Sequence, residues 1–246
     1  MAAVREPDFD RHNQLQRSYF ETSEQRTLTR PSSQYLRRHV DRMMQSAAIR
    51  PGDKVLEVGC GLGRYTLILA ERGVAVEGLD LSPALLEKLA QRPGAESIPL
   101  HGHDLVASPP EMHGTFDAVI GFFVLHHVHD LDACFSAAGR LVKPGGRVAF
   151  IEPNPWNPLY YVQIFATPEM SWGPERGMLQ MRPPAMFPVM RNAGLVDVTL
   201  ERFGLFPPFV TNRRLGARIE SALESVPLGV PSRPFALFSG RRPPEE

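Results

Sequence analysis

The chain has 246 residues and carries 27 Lys and Arg against 27 Asp and Glu, for a formal net charge of zero. That length suits one large domain, or one domain with an insertion, and the balanced charge excludes the broad basic field that marks nucleic-acid binding. The longest apolar run, Val119–Leu125, is too short to cross a bilayer, and two cysteines (Cys60 and Cys134) point to a reduced, cytoplasmic protein without a disulfide scaffold.

In chain order, residues 1–30 are polar apart from Tyr19 and Phe20 and read as an arm. The charged start, M-A-A-V-R-E, lacks the apolar centre of a signal peptide. Pro31-Ser-Ser caps a predicted helix from Gln34 to about Ala48, with Tyr35, Leu36, Val40, Met43 and Met44 roughly along one face. Residues 1–50 are thus expected to form an arm and helix acting as a lid, and residues 51–246 the main domain. Val55–Val58 reads as a buried parallel strand, followed by Gly59, Gly61 and Gly63 and by a helix from Tyr65 to Ala70. Gly73 ends that helix, and Val74–Leu79 forms a second strand with Asp80 at its carboxyl end. Ser82 and Pro83 then supply an N-cap and first turn for a helix running to Gln91.

Glu96–His101 is a predicted third strand. Phe116–Gly121 is a fourth, continuing into Phe122-Phe-Val-Leu-His-His-Val128. A helix from about Asp130 to Leu141 leads through Lys143-Pro-Gly-Gly146 into a fifth strand, Arg147–Ile151. Residues 152–186, rich in Pro, Trp, Tyr and Met, break the alternation and read as an inserted cap over the carboxyl edge of the sheet. A helix from Pro188, a strand over Leu195–Phe203 and a last strand near Pro234–Ser239 complete the chain. The alternation predicts an α/β fold: a Rossmann-like, doubly wound sheet of seven strands, mostly parallel with one antiparallel strand.

A strand, a glycine turn and a helix let a ligand approach main chain beside a helix N-terminus. The spacing G-x-G-x-G is shorter than the G-x-G-x-x-G cradle of dinucleotide folds. Asp80 can accept both hydroxyls of a ribose, with Leu81 against one adenine face. Asp104 can accept an adenine exocyclic amine while the Leu105 amide bonds a ring nitrogen. Read in order, E-V-G-C-G-L-G, G-L-D-L-S, G-H-D-L, F-D-A-V-I-G-F-F-V-L-H-H-V and L-V-K-P-G-G-R-V-A-F resemble class I S-adenosylmethionine-dependent methyltransferases. The likeness runs from about Lys54 to Ile151 and is closest to the small-molecule branch that includes the ubiquinone and menaquinone biosynthesis enzymes. It implies S-adenosyl-L-methionine as cofactor, held by Glu57, Gly59, Gly61, Asp80, Leu81, Asp104 and Leu105, with Gly121 and Phe122 at its methionine end.

A histidine can deprotonate a substrate hydroxyl at neutral pH, so His127 and then His126 are the candidate catalytic bases. No second group of ligands accompanies them in sequence, and no metal is expected. Pro153-Asn-Pro-Trp-Asn-Pro158 is similar to the N-P-P-[FY] tetrapeptide of amino-methylating enzymes, but it follows strand five where theirs follows strand four. Tyr19, Trp156, Tyr160, Tyr161 and Trp172 are the expected substrate pocket, which suits a small hydrophobic acceptor. Apolar residues near Arg213, Arg214 and Arg218 suit transient membrane contact. The alternatives are a non-methylating use of the same cofactor and a nicotinamide-dependent oxidoreductase.

Overall fold

The computed structural model describes residues 33–166, 172–226 and 229–245. Helix α1 (Gln34–Ser46) starts where the Ser33 side chain accepts from the Leu36 N–H, and buries Leu36, Val40 and Met43. Strand β1 (Lys54–Val58) leads through the glycine turn to α2 (Thr66–Glu71), and β2 (Ala75–Leu79) to α3 (Pro83–Ala90). Ser82 caps α3 by accepting from the Leu85 N–H, with Pro83 in the first turn as expected. Then follow β3 (Leu100–His101), β4 (Phe116–Phe122), α4 (Leu131–Leu141) and β5 (Val142–Pro153). The remainder comprises α5 (Pro158–Ala166), α6 (Pro183–Asn192), β6 (Val196–Phe203), α7 (Arg214–Glu224) and β7 (Phe235–Arg241).

The seven strands lie in the order β3-β2-β1-β4-β5-β7-β6. β1 pairs in parallel with β2 and β4, and β4 with β5. β7 runs antiparallel to both of its neighbours, β5 and β6, so one reversed strand makes two antiparallel ladders. Alternation along the central strands builds a core on each face. Phe116, Val119, Val148 and Phe150 join α4 and α6 on one side; Ala118, Ile120, Ala149 and Ile151 join α1 and α2 on the other.

Several boundaries differ from the sequence expectation for local reasons. β3 is short because Glu96 and Ser97 form a turn, closed by the Ile98 N–H on the Ala95 carbonyl at 3.0 Å, and because Pro99 has no N–H to give a ladder. β4 stops at Phe122: Phe123 takes the left-handed φ of 56°, and Leu125–His127 coil into a 3-10 turn. β5 includes the Lys143–Gly146 segment as an irregular start. α6 begins at Pro183 and contains Pro188, the start that the sequence pattern predicts. Pro183 and Pro184 occupy the first turn, where no intrahelical N–H is needed, and that signal lies five residues earlier.

α1 and α7 are clamped together across the sheet's far end. Arg38 pairs with Glu220 and Glu224, and Arg42 reaches Glu224 at 2.6 Å and Glu201 at 2.8 Å. Glu220 also accepts from the Leu205 and Phe206 N–H groups, at 2.6 and 2.9 Å, and Glu224 from Gly204. The 204–206 segment is thereby tied to α7. Among the described residues no helix is long and apolar enough to cross a membrane.

Candidate active site

The three glycines after β1 serve different ends. Gly59 and Gly63 have φ of 70° and 74°, and a methyl group on either would strike protein: Val124 Cγ2 at 2.5 Å from the first, Leu89 from the second. Gly61, at φ 51°, faces open space, its nearest neighbour being Asp80 Oδ2 at 4.0 Å from a built Cβ. Only this glycine keeps a cradle open. Its N–H donates to Asp80 Oδ2 at 2.8 Å, while Asp80 Oδ1 accepts from the Ser82 N–H at 2.9 Å. The carboxylate at the end of β2 is therefore oriented by two backbone donors beside the glycine turn, where a ribose diol would meet it. Arg92 fixes the turn by donating to the Leu62 carbonyl at 2.7 Å.

Glu57, one residue from the end of β1, is buried, and its Oε2 has no hydrogen-bond partner among the described residues. Burial pushes its carboxyl from 4.5 up to about 8; the neighbouring Thr66 hydroxyl pulls the other way and the Asp80 charge adds to the rise. A buried carboxyl oxygen left unsatisfied by the described residues, beside an open cradle, fits a ligand whose positive charge would draw the carboxyl into its ionised form, as a sulfonium amino acid would. Arg64, in the same turn, has a buried Nε without a hydrogen-bond partner among the described residues. Its signal was a cation immediately after the third glycine.

Asp104 follows β3 as the N-cap of a 3-10 turn, accepting from the Val106 N–H at 2.9 Å, with Leu105 buried behind it and Leu81 half-buried after β2. Phe122 stacks on Tyr65 with ring centroids 4.1 Å apart. Gly121 is forced by packing, because a Cβ would come within 2.7 Å of Phe150 and Val124. Burial raises the thiols of Cys60 and Cys134, which removes both from nucleophilic use at neutral pH.

At the carboxyl ends of β4 and β5 lies a buried network the sequence did not reveal. Glu152 accepts from the Val124 and Leu125 N–H groups at 2.9 and 2.7 Å through Oε1, and meets His126 Nδ1 at 2.5 Å through Oε2. His126 Nε2 faces Glu175 Oε2 at 3.4 Å, and Tyr160 donates its hydroxyl to that oxygen at 2.8 Å. Burial lowers the His126 pKa, but Glu152 and Glu175 outweigh it and the net is a rise to about 9. With both nitrogens facing carboxylates and a proton held at neutral pH, His126 is not in the form of a general base. His127, half-buried, lies with its ring centroid 3.9 Å from that of His126. Gly177 brings Glu175 here: it packs so tightly on the His126 carbonyl that a Cβ would overlap it.

The expected pocket residues separate. Tyr160 joins the network, while Tyr161 donates to the Pro155 carbonyl at 2.9 Å with its ring 6.1 Å from that of Trp172. Trp156 is 58% exposed, held away from the core by the Asn154–Asn157 turn. Tyr19 lies outside the described residues.

Residues 28–197 match the family described as Methyltransferase domain. The ubiquinone biosynthesis O-methyltransferase of Chromobacterium violaceum is 32% identical over 217 residues, covering 84% of this chain and 90% of that protein. Two solved structures share the fold. The geranyl diphosphate C-methyltransferase of Streptomyces coelicolor A3(2), held with Mg2+, geranyl diphosphate and S-adenosyl-L-homocysteine, has a TM-score of 0.58 at 20% identity, covering 94% of this chain and 98% of that one. The phosphoethanolamine N-methyltransferase 2 of Haemonchus contortus, held with S-adenosyl-L-methionine, has a TM-score of 0.59 at 18% identity; 84% of this chain spans about half, 52%, of that one. The glycine cradle, the oriented Asp80 and the family match agree: this chain belongs to the S-adenosylmethionine-dependent methyltransferases.

Proposed function

We propose that the enzyme methylates a small acceptor with an apolar body, seated between the carboxyl ends of β4 and β5 and the inserted segment 152–186. The observation that carries this reading is the surface of that segment: Trp156, Leu159, Val162 and Phe165 are 58–78% exposed along and before α5, directly after β5. Exposed apolar side chains at such density mark a binding surface more often than idle surface. The name of the Chromobacterium violaceum relative, a ubiquinone biosynthesis enzyme, agrees with an apolar acceptor.

When bound, S-adenosylmethionine supplies a methyl group on a sulfonium sulfur, which departs as a neutral thioether. The protein's part is placement. Gly61 leaves room for the cofactor, Asp80 would take the ribose hydroxyls, Glu57 would meet its positive charge and Arg64 its carboxylate. Asp104 and the Leu105 amide would take the adenine edge, with Leu81 against its face. Alignment of this kind supplies about 7–11 kcal/mol of a barrier without a covalent role for any side chain. For a hydroxyl acceptor, His127 receives the proton and His126, fixed by Glu152, positions it. Phe209, Leu215 and Ile219 are exposed beside Arg213, Arg214 and Arg218, which supports transient contact with a membrane surface.

The test is a competition assay between acceptors matched in reacting group and differing only in their apolar body. Preference for the apolar member supports the reading. Turnover confined to polar acceptors would show that the exposed face of α5 serves packing or assembly instead.

A further inference from the structure

We propose that His126, His127 and Glu175 form a binding site for one divalent transition-metal ion, with Glu152 and Tyr160 holding its ligands in place. One ligand atom from each of the three residues lies within 4.8 Å of the others. His126 Nε2 and Glu175 Oε2 stand 3.4 Å apart, wider than a short charged contact. A charged hydrogen bond between such groups would close to about 2.7–2.9 Å. Two ligands about 2.0–2.1 Å from a tetrahedral centre stand roughly 3.3–3.4 Å apart, which is the spacing observed.

The surrounding groups complete the argument. Glu152, pinned by the Val124 and Leu125 N–H groups, engages His126 at Nδ1 and so aims Nε2 at Glu175. A carboxylate that orients a ligating imidazole through its other nitrogen is a recurring support of metal sites. Tyr160 fixes the Glu175 carboxylate in the same way, by donating to Oε2 at 2.8 Å. The charge also fits, since the side chains of Glu152 and Glu175 are 0% and 7% exposed and share a single imidazole between them. An ion of charge two would balance both carboxylates while leaving that imidazole neutral.

Two imidazoles and one carboxylate favour zinc, cobalt or ferrous iron over magnesium or calcium, which prefer all-oxygen shells. Three protein ligands leave a tetrahedral ion one open position, as in catalytic zinc sites. That position lies at the ends of β4 and β5, where an acceptor oxygen or nitrogen would be held; with the ion in place His127 is a ligand and not the base assigned above, and the ion would acidify a bound hydroxyl so that its proton passes to solvent. This use of the open position rests on the acceptor reading above, whereas occupancy of the site does not.

The full-length protein, stripped with a chelator, is titrated with Zn2+ by calorimetry and with Co2+ by visible absorption. The expected result is one equivalent bound, with a tetrahedral Co2+ spectrum. Glu175→Gln and His127→Ala should weaken Zn2+ by at least about tenfold, and Glu152→Gln by about 10–100-fold, while each variant still binds S-adenosylmethionine. Retained cofactor binding shows that a variant is folded. Wild-type affinity for Zn2+ no tighter than that of Glu175→Gln would overturn the site, and methyl transfer by the stripped enzyme would then return the proton to His127. One equivalent of Zn2+ in a protein that transfers no methyl group would instead overturn the proposed function and leave the site standing.

Discussion

Replacing Glu57 by glutamine separates the carboxyl group's effect on folding from its service to the ligand. The side chain is buried at the end of β1, and burial holds its carboxyl near 8 where an unfolded chain would have about 4.5. Below about pH 4.5 both states keep the proton, and no stability is lost through this group. Between about 4.5 and 8 the unfolded chain sheds the proton and the folded chain keeps it, so stability falls as pH rises. Above about pH 8 the loss is complete. At about 1.4 kcal/mol per pH unit the ceiling is about 5 kcal/mol, with about 3 kcal/mol already lost by pH 7.

Glutamine has nearly the same shape and does not titrate, so its own effect is a constant offset and the comparison is one of slopes. Denaturant unfolding of wild type and Glu57→Gln at intervals from pH 5 to 9 should give curves that diverge with rising pH in favour of the variant. The same variant should bind S-adenosylmethionine about 1.5–3 kcal/mol more weakly, because glutamine cannot ionise when the ligand's positive charge arrives beside it. Parallel curves across that range would refute the burial of an ionisable Glu57 and with it the argument for its unpartnered oxygen.

Three further outcomes follow from the same geometry. Asp80→Ala should weaken S-adenosylmethionine by about 1.5–3 kcal/mol in titration calorimetry, since the carboxylate is already aimed by the Gly61 and Ser82 amides; unchanged affinity would remove it from the ribose site. Gly59→Ala should cost about 1–3 kcal/mol by overpacking on Val124 and about 1–2 more for its backbone, whereas Gly61→Ala should cost only the backbone term and fail instead in cofactor binding. Thermal melts beside calorimetry distinguish the two, and equal melting losses would contradict the cradle assignment. Glu220→Ala should destabilise the protein by about 3–5 kcal/mol in denaturant unfolding, because it leaves Arg38 and the Leu205 and Phe206 amides without their carboxylate; a loss under about 1 kcal/mol would mean the clamp is solvated.

What could be read from the sequence was whatever neighbours in sequence decide. The glycines at 59–63, the Ser82–Pro83 helix start and the acids at the ends of β2 and β3 each carry a local signature of residue type and spacing, so the pattern placed them even though Val124, Leu89 and the Gly61 amide complete their surroundings from further along the chain. The reversed final strand was also legible, because a helix and two closing strands follow the cap. The Glu152–His126–Glu175 array was not, since its members are separated in sequence: Glu152 reaches His126 through the pairing of β4 with β5, and Glu175 through the packing of Gly177 on the His126 carbonyl. Nothing near Glu175 distinguishes it from any surface acid. The start of α6 was misread for a different reason: Pro183, Pro184 and Pro188 are all plausible helix openers, and only the burial of Met186 and Met190 selects the earlier pair.

The position of β7 sets an order on assembly. It follows β6 in the chain yet lies between β6 and β5, pairing Phe235–Arg241 with Arg147–Pro153 on one side and with β6 on the other. Until those residues join, the backbone of β5 has an open edge carrying Val148, Phe150 and Ile151, and β6 has no neighbour to dock against. A chain stopped short of Phe235 therefore displays the kind of apolar, unpaired strand that recruits other chains. Loss of this one late strand should turn the protein insoluble well before it touches the cofactor cradle, which follows β1, three strands away.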